Sequence, residues 1–395
     1  MYGSILQVNP LKQAQALHEW GVKHRRYLHQ YPETSLNEKA TSQYCKKILS
    51  DLGYTIKDSW GYGFTADLII HQSYPTIAWR ADMDALPIQE KNVHDFVSKN
   101  KNVAHMCGHD VHMTIALTAA NLLATSPSQA KNNIRFLFQP SEEKPPGGAI
   151  GMIEQNCLEG VDEVYGLHND SGTMVGKMWT RVGPLMASGD LFEIQIIGRG
   201  GHAARPQDCL DPISPCAQLI SNWQSITARR INPLHSAVLS VTKILAGDTF
   251  NVIPDSAMVA GTIRTFDQVD RELIVKLMQD SLLPLQAAGY QCKFNYKKGY
   301  DAVVNHDKGV KRVSEAARVI LGVENVDEKR EPAMWSEDFG YFLQHRPGAF
   351  IFLGSGNPTK NISAPLHSAN FDVDESVIAM GAAIVAQLIS SEHYD

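Results

Sequence analysis

No stretch of this chain stays apolar for the roughly 18 residues that a membrane-spanning helix needs. Cysteine is sparse: six residues scattered over 395 positions make no disulfide framework. Basic charge is in deficit, with 36 Lys and Arg against 42 Asp and Glu and a formal net charge of −6. Without a basic excess there is little to neutralise phosphates, so nucleic acid is excluded as the main partner. The opening Met1-Tyr-Gly-Ser-Ile-Leu-Gln lacks the basic and long apolar regions of a signal peptide. No internal repeat or low-complexity tract interrupts the chain. These absences set the expectation of a cytoplasmic protein that uses neither membrane nor nucleic acid. What remains is globular in composition, 44% hydrophobic and 20% charged. At 395 residues it is too long for one ordinary core, so two domains are expected.

One stretch dominates the rest: His105-Met-Cys107-Gly108-His109-Asp110-Val-His112. Thiolate and imidazole are both good donors to zinc-like ions, and the glycine allows a tight turn between two of them. Further donors must come from elsewhere. Glu142-Glu143 and His168 follow apolar runs, His367 lies near the C-terminus, and Arg80-Ala-Asp82-Met-Asp84 ends another apolar run.

The spacing of apolar residues predicts helices over 11–30 and 37–52. His18, His24 and His29 fall in or near the first and read as surface or helix-packing residues. Strands follow at 64–70 and 76–80. Helix 110–125, strand 133–138, helix 148–156 and strand 161–167 then alternate, implying crossover units and a mostly parallel sheet covered by helices. Ligands bind beyond the carboxyl ends of such strands. Asp82, Glu142, Glu143 and His168 each follow a predicted strand. Residues 187–297 change character, reading strand–helix–strand–strand–helix–strand with single helices at 211–228 and 268–286, a split ferredoxin-like unit. Helix 308–321, strand 349–353 and helix 374–391 resume the first pattern. The expected organisation is a catalytic domain from 1–186 and 298–395 with an inserted lid or dimerisation domain at 187–297.

Several side chains invite chemistry. In Glu142-Glu143 one carboxylate can bind a cation while its neighbour serves as general base on a water; the alternative is a solvated turn. Asp84 can orient a ligating imidazole by accepting its other N–H, or it is a turn residue before Pro87. Cys107 has a competing reading as a nucleophile beside His109, although acidic neighbours suit a cation better. Gly198 to Pro206 lacks the spacing of a phosphate loop, leaving His202 structural or functional. Asn251 and Arg264 could hold a carboxylate or an oxyanion, or be plain surface residues.

Seven motifs in order carry a resemblance: Arg80-Ala-Asp-Met-Asp-Ala-Leu-Pro87, Met106-Cys-Gly-His-Asp110, Phe138-Gln-Pro-Ser-Glu-Glu143, Gly166-Leu-His168, Gly200-Gly-His-Ala203, Ser336-Glu-Asp-Phe339 and Leu366-His367. As a set they resemble the aminoacylase/carboxypeptidase family of di-metal peptidases, in the N-acyl-amino-acid amidohydrolase branch with hippurate hydrolases and indole-acetyl-amino-acid hydrolases. The resemblance implies an α/β fold with a di-zinc-peptidase-like catalytic domain and a ferredoxin-like insert. It implies metal ligands at Cys107, His109, Glu143, His168 and His367 for two divalent ions, zinc, manganese, cobalt or nickel. Glu142 would activate water. His202 would polarise the scissile carbonyl in the other subunit of a homodimer or homotetramer, and Asn251 and Arg264 would hold the substrate. Asp82 stands where many relatives outside this branch carry a metal-binding His and is not counted as a ligand. The implied activity is hydrolysis of the amide bond of an N-acyl amino acid or short peptide. The rivals are a cysteine hydrolase using Cys107 and a non-catalytic metal-binding protein of the same fold.

Overall fold

A computed structural model describes residues 9–392. The opening heptapeptide, on which the absence of a signal peptide was read, lies outside them. Two compact units make up the chain: Met1–Leu185 with Val304–Glu331 and Asp338–Asp395, and Met186–Val303 with Pro332–Glu337.

The first unit is built on an eight-stranded sheet. Its order is Thr55–Asp58, Phe64–Leu68, Asn133–Gln139, Thr76–Asp82, Glu163–Met174, Gly348–Gly356, Met178–Trp179 and Val326–Asp327. The four central strands pair in parallel, in register Ala78↔Arg135, Ala78↔Val164 and Phe350↔Gly166. Phe64–Leu68 and Met178–Trp179 join them antiparallel, so the sheet is mixed. Near-continuous apolar runs explain the parallel centre, because such strands are covered on both faces. All nine residues of Gly348–Gly356 are buried. Two helices are apolar nearly all round and form the centre of one layer: His109–Thr125 and Ser376–Ser390, packed on each other. The helix expected over 11–30 is two, Pro10–Ala16 and His18–Gln30, broken at Leu17. Nothing in the sequence accounts for that break. The strand expected to stop before His168 runs through it to Met174.

The second unit is a four-stranded antiparallel sheet in the order Ala237–Ala246, Ser256–Thr265, Asp190–Ile197, Gln291–Lys297. With helices Ile213–Arg229 and Gln268–Asp280 this is the βαββαβ order of a ferredoxin-like fold. Burial alternates along Ser256–Thr265, and the inward residues Val259 and Ile263 join Ile194, Ile196, Trp223, Ile274 and Met278 in one core. The helix expected over 268–286 ends at Asp280, and a short one, Leu283–Ala287, follows. Pro284 is the cause: it fits a helix's first turn and not its interior.

Candidate metal centre

The helix His109–Thr125 starts directly after Gly108, which has a positive φ of 90°. A side chain there would be strained, and its Cβ would lie 2.1 Å from Asn169 Oδ1. Only glycine lets the thiol of Cys107 and the ring of His109 share this corner with the strand that carries His168. The His109 ring is set by the backbone: Nδ1 donates to the Asp84 carbonyl at 2.7 Å. The His168 ring is set alike, Nδ1 donating to the Asn169 carbonyl at 2.7 Å. Carbonyls only accept, so both rings keep Nδ1–H and turn Nε2 toward the same space.

The loop after Asn133–Gln139 brings Glu142 and Glu143. Asp84 holds it: its carboxylate accepts the N–H groups of Glu142 at 3.0 Å and Glu143 at 2.9 Å, and the Ser35 hydroxyl at 2.7 Å. Those donors occupy the carboxylate. It stands 3.5 Å from His109 Nδ1, while the carbonyl of the same residue takes the hydrogen bond. Asp84 thus acts on the His109 ring through its carbonyl and, from 3.5 Å, its carboxylate, and the same side chain positions the loop. Glu38 adds to the clamp by accepting the Ser141 N–H at 2.8 Å. Ser141 and His367 both have φ near +60°, an uncommon backbone for such residues, and both border the cluster.

Five donors converge. Cys107 Sγ lies 3.2 Å from His168 Nε2 and 3.3 Å from His367 Nε2. Glu143 Oε1 lies 3.4 Å from His367 Nε2 and 3.8 Å from His109 Nε2. Two triads, Cys107–His109–His168 and Cys107–Glu143–His367, share the thiol. Glu142 is buried within the same few ångströms of His109 and Glu143. Two buried atoms facing this space, His109 Nε2 and Glu143 Oε1, have no hydrogen-bond partner among the described residues. Leaving such atoms unmatched is costly unless a cation takes their lone pairs. The donor set of one thiol, three imidazoles and one carboxylate fits divalent ions of the zinc, manganese, cobalt and nickel kind.

The electrostatics agree. Burial alone would lower the His109 pKa, yet Asp82, Asp84 and Glu143 outweigh it and push it to about 10. A field that holds a proton so strongly also attracts a divalent cation. Cys107 is pushed the other way from a nucleophile: burial first, then Glu143, Glu142 and Asp82, hold its thiol well above the ordinary range. A thiol nucleophile needs a lowered pKa. Asp82 is spent elsewhere, on Arg80 at 2.6 Å and His112 at 2.7 Å. His112 is likewise committed, its Nε2 accepting the Asn169 N–H at 3.0 Å.

His202, Asn251 and Arg264 belong to the second unit. His202 is exposed on Gly201–His202, paired with Val252–Ile253, and its Nδ1 accepts the Ala204 N–H at 3.1 Å. Asn251, exposed, precedes that partner strand, and its carbonyl accepts the Ala203 N–H at 3.0 Å. Arg264 donates to Ser336 Oγ at 2.9 Å, and burial lowers its pKa.

Sequence reasoning missed one buried brace. Arg80 bonds Gln139 Oε1 at 2.9 Å and Asp338 Oδ1 at 3.0 Å, and Gln139 Nε2 donates to Asp338. It ties together the carboxyl ends of two central strands and the residue after Ser336-Glu337. All three lie in motifs quoted above, but no spacing along the chain joins them.

Residues 78–391 match the family described as Peptidase family M20/M25/M40. The chain is 40% identical to an N-acetyl-L-cysteine deacetylase of Bacillus subtilis, covering 90% of this chain and 83% of that one. It is 38% identical to thermostable carboxypeptidase 1 of Saccharolobus solfataricus, covering 94% and 95%. A crystal structure of a dinuclear metal binding peptidase of the M20 family from Bacillus subtilis superposes with a TM-score of 0.81 at 33% identity, covering 95% and 98%. The chain that gathers a thiol, three imidazoles and a carboxylate, with an acidic neighbour beside them, belongs to the M20 peptidase family.

Proposed function

We propose that this chain is a metal-dependent hydrolase that cleaves the amide bond of N-acyl amino acids or short peptides. The observation that carries the reading is the pair of unmatched buried atoms, His109 Nε2 and Glu143 Oε1, aimed with Cys107, His168 and His367 into one space beside Glu142. Those five residues would hold two divalent ions. Bound there, such ions polarise a carbonyl and make a water acidic enough to attack at neutral pH. Glu142 takes the proton of the attacking water and returns it to the amide nitrogen as the C–N bond breaks. Asp84 and Glu38 keep Glu142 in place through the backbone of residues 141–143. His202 donates to the carbonyl oxygen, and Arg264 and Asn251 hold the substrate's carboxylate or carbonyl. The relatives' names, a deacetylase acting on N-acetyl-L-cysteine and a carboxypeptidase, support this substrate class.

The proposal includes a cytoplasmic homodimer or homotetramer in which His202 completes a site in the partner subunit. No helix among the described residues is long and apolar enough to cross a membrane. The test of function is a screen of N-acyl amino acids and dipeptides with metal-stripped protein reloaded with zinc, manganese, cobalt or nickel. Turnover of at least one N-acyl amino acid or dipeptide that depends on added metal is expected. No turnover of any member with any metal would overturn the reading.

A further inference from the structure

Away from the candidate centre a second group of donors meets in the first unit. His29 Nε2 lies 3.2 Å from Glu90 Oε1, and His94 Nε2 lies 3.3 Å from the same oxygen. All three donor atoms fall within 4.8 Å of one another. Neither ring nitrogen of His94, although buried, makes a hydrogen bond among the described residues. A proton bridges His29 Nε2 and Glu90 Oε1, in the position a metal ion would take, while His94 faces the same oxygen unmatched.

The spacing can also accommodate a metal ion. In tetrahedral zinc coordination, with bonds of roughly 2.0–2.1 Å, neighbouring donors stand about 3.3–3.4 Å apart. The edges His29–Glu90 and His94–Glu90 match this, as do Cys107–His168 and Cys107–His367 in the candidate centre. The supports are also in place. Asp110 Oδ2 sits 2.9 Å from His29 Nδ1, the carboxylate–histidine arrangement that fixes a ligating ring. Glu90 Oε2 accepts the Ser98 N–H at 2.7 Å, and Oε1, which faces the two rings, also accepts the Asn92 side-chain N–H at 3.1 Å, so the carboxylate is held in place at both oxygens. His94 stacks on Phe96 with ring centroids 3.7 Å apart, so its orientation is fixed too. Nearby positive charge is compensated: Arg25 pairs with Asp110, Asp372 and Glu375, and Arg26 with Glu375.

We propose that His29, Glu90 and His94 form an additional zinc site, distinct from the Cys107 centre, that clips the loop carrying Glu90 and His94 to the helix His18–Gln30. Two imidazoles and one carboxylate are a donor set that suits zinc, with the fourth position left to water. His94 is partly open to solvent, which gives the ion an entry path. His29, read from sequence as a packing residue, becomes a ligand because the fold brings Glu90 and His94 to it across about 60 residues of chain.

The test compares zinc content. Full-length wild type, His94→Leu and Glu90→Gln are stripped with chelator, equilibrated against buffered free Zn²⁺ and analysed for metal. Wild type is expected to hold one more zinc per chain than either variant, whatever the Cys107 centre holds. His94→Leu should retain wild-type turnover once reloaded. Zinc-edge anomalous diffraction from zinc-soaked wild-type crystals should place a peak among His29 Nε2, Glu90 Oε1 and His94 Nε2. Equal zinc content in wild type and His94→Leu, or no anomalous peak there at saturating zinc, would overturn the site.

Discussion

Glu142 and Glu143 are chemically identical neighbours with different proposed tasks, and single substitutions separate them. Glu142→Gln keeps shape and removes the base. Metal content should stay at the wild-type level while kcat falls by about 10²–10⁴-fold or more. Near-normal turnover would assign the base elsewhere. Cys107 is separated from a nucleophile by alkylation. As a ligand it is shielded in the metal-loaded protein. After chelation it should react slowly at neutral pH and faster as pH rises, because burial and the surrounding carboxylates disfavour the thiolate. A thiol that reacts fastest in the active, loaded protein would contradict the ligand role. Cys107→Asp, which still offers an anionic donor, should keep more metal than Cys107→Ala. Cys107 and His109 stand out in the sequence because they are two positions apart, and Glu142, Glu143 and His168 because they follow apolar runs, while their roles, and that of His367, come from the motif resemblance. The use of Asp84 through its carbonyl was not legible there, since residue type says nothing of which oxygen is engaged.

At the scale of elements, the clamp on residues 141–143 sets a pH dependence. Burial, reinforced by the Asp84 charge, raises the Glu38 carboxyl to about 7. Its unfolded value is about 4.3. Between these values the folded state keeps a proton that the unfolded state has released, so stability falls as pH rises through that window and stays lower above it. Glu38→Gln removes the titration and retains an oxygen for the Leu36 and Ser141 N–H groups. Denaturation of metal-free protein should show wild type losing about 2–3 kcal/mol relative to Glu38→Gln between pH 5 and pH 8. The same pH profile in both would refute the shift. Gly108→Ala should cost at least about 1–2 kcal/mol for the left-handed backbone, with the Asn169 contact adding to it, and weaken metal binding as well. The long strands and helices were legible from their periodicity. Two-residue strands such as Met178–Trp179 were not, because so short a run carries no period. The break before Pro284 was readable from the proline itself, whereas that at Leu17 has no local signal.

At the scale of the molecule, long-range gathering was the least legible level. Arg80, Gln139 and Asp338 are spread over more than half of the chain, and only the folded sheet makes them one brace. Pro332–Glu337 groups with the second unit, although its position in the chain suggested the first. The proposed sharing of His202 between subunits is tested by mixing inactive His202→Ala chains with inactive Glu142→Gln chains under exchange. Action in the partner's site leaves each heterodimer one intact site, so activity returns. Continued inactivity despite verified heterodimers would rule the sharing out.

The claim on which the rest depends is that the Cys107, His109, Glu143, His168 and His367 cluster works through bound divalent ions. Its most direct measurement is hydrolysis of an N-acyl amino acid substrate by the protein, followed through metal removal and restoration with elemental analysis alongside. Turnover should vanish with the metal and return as divalent ions are added back. Full turnover in excess strong chelator, with no metal detected in the protein, would contradict it.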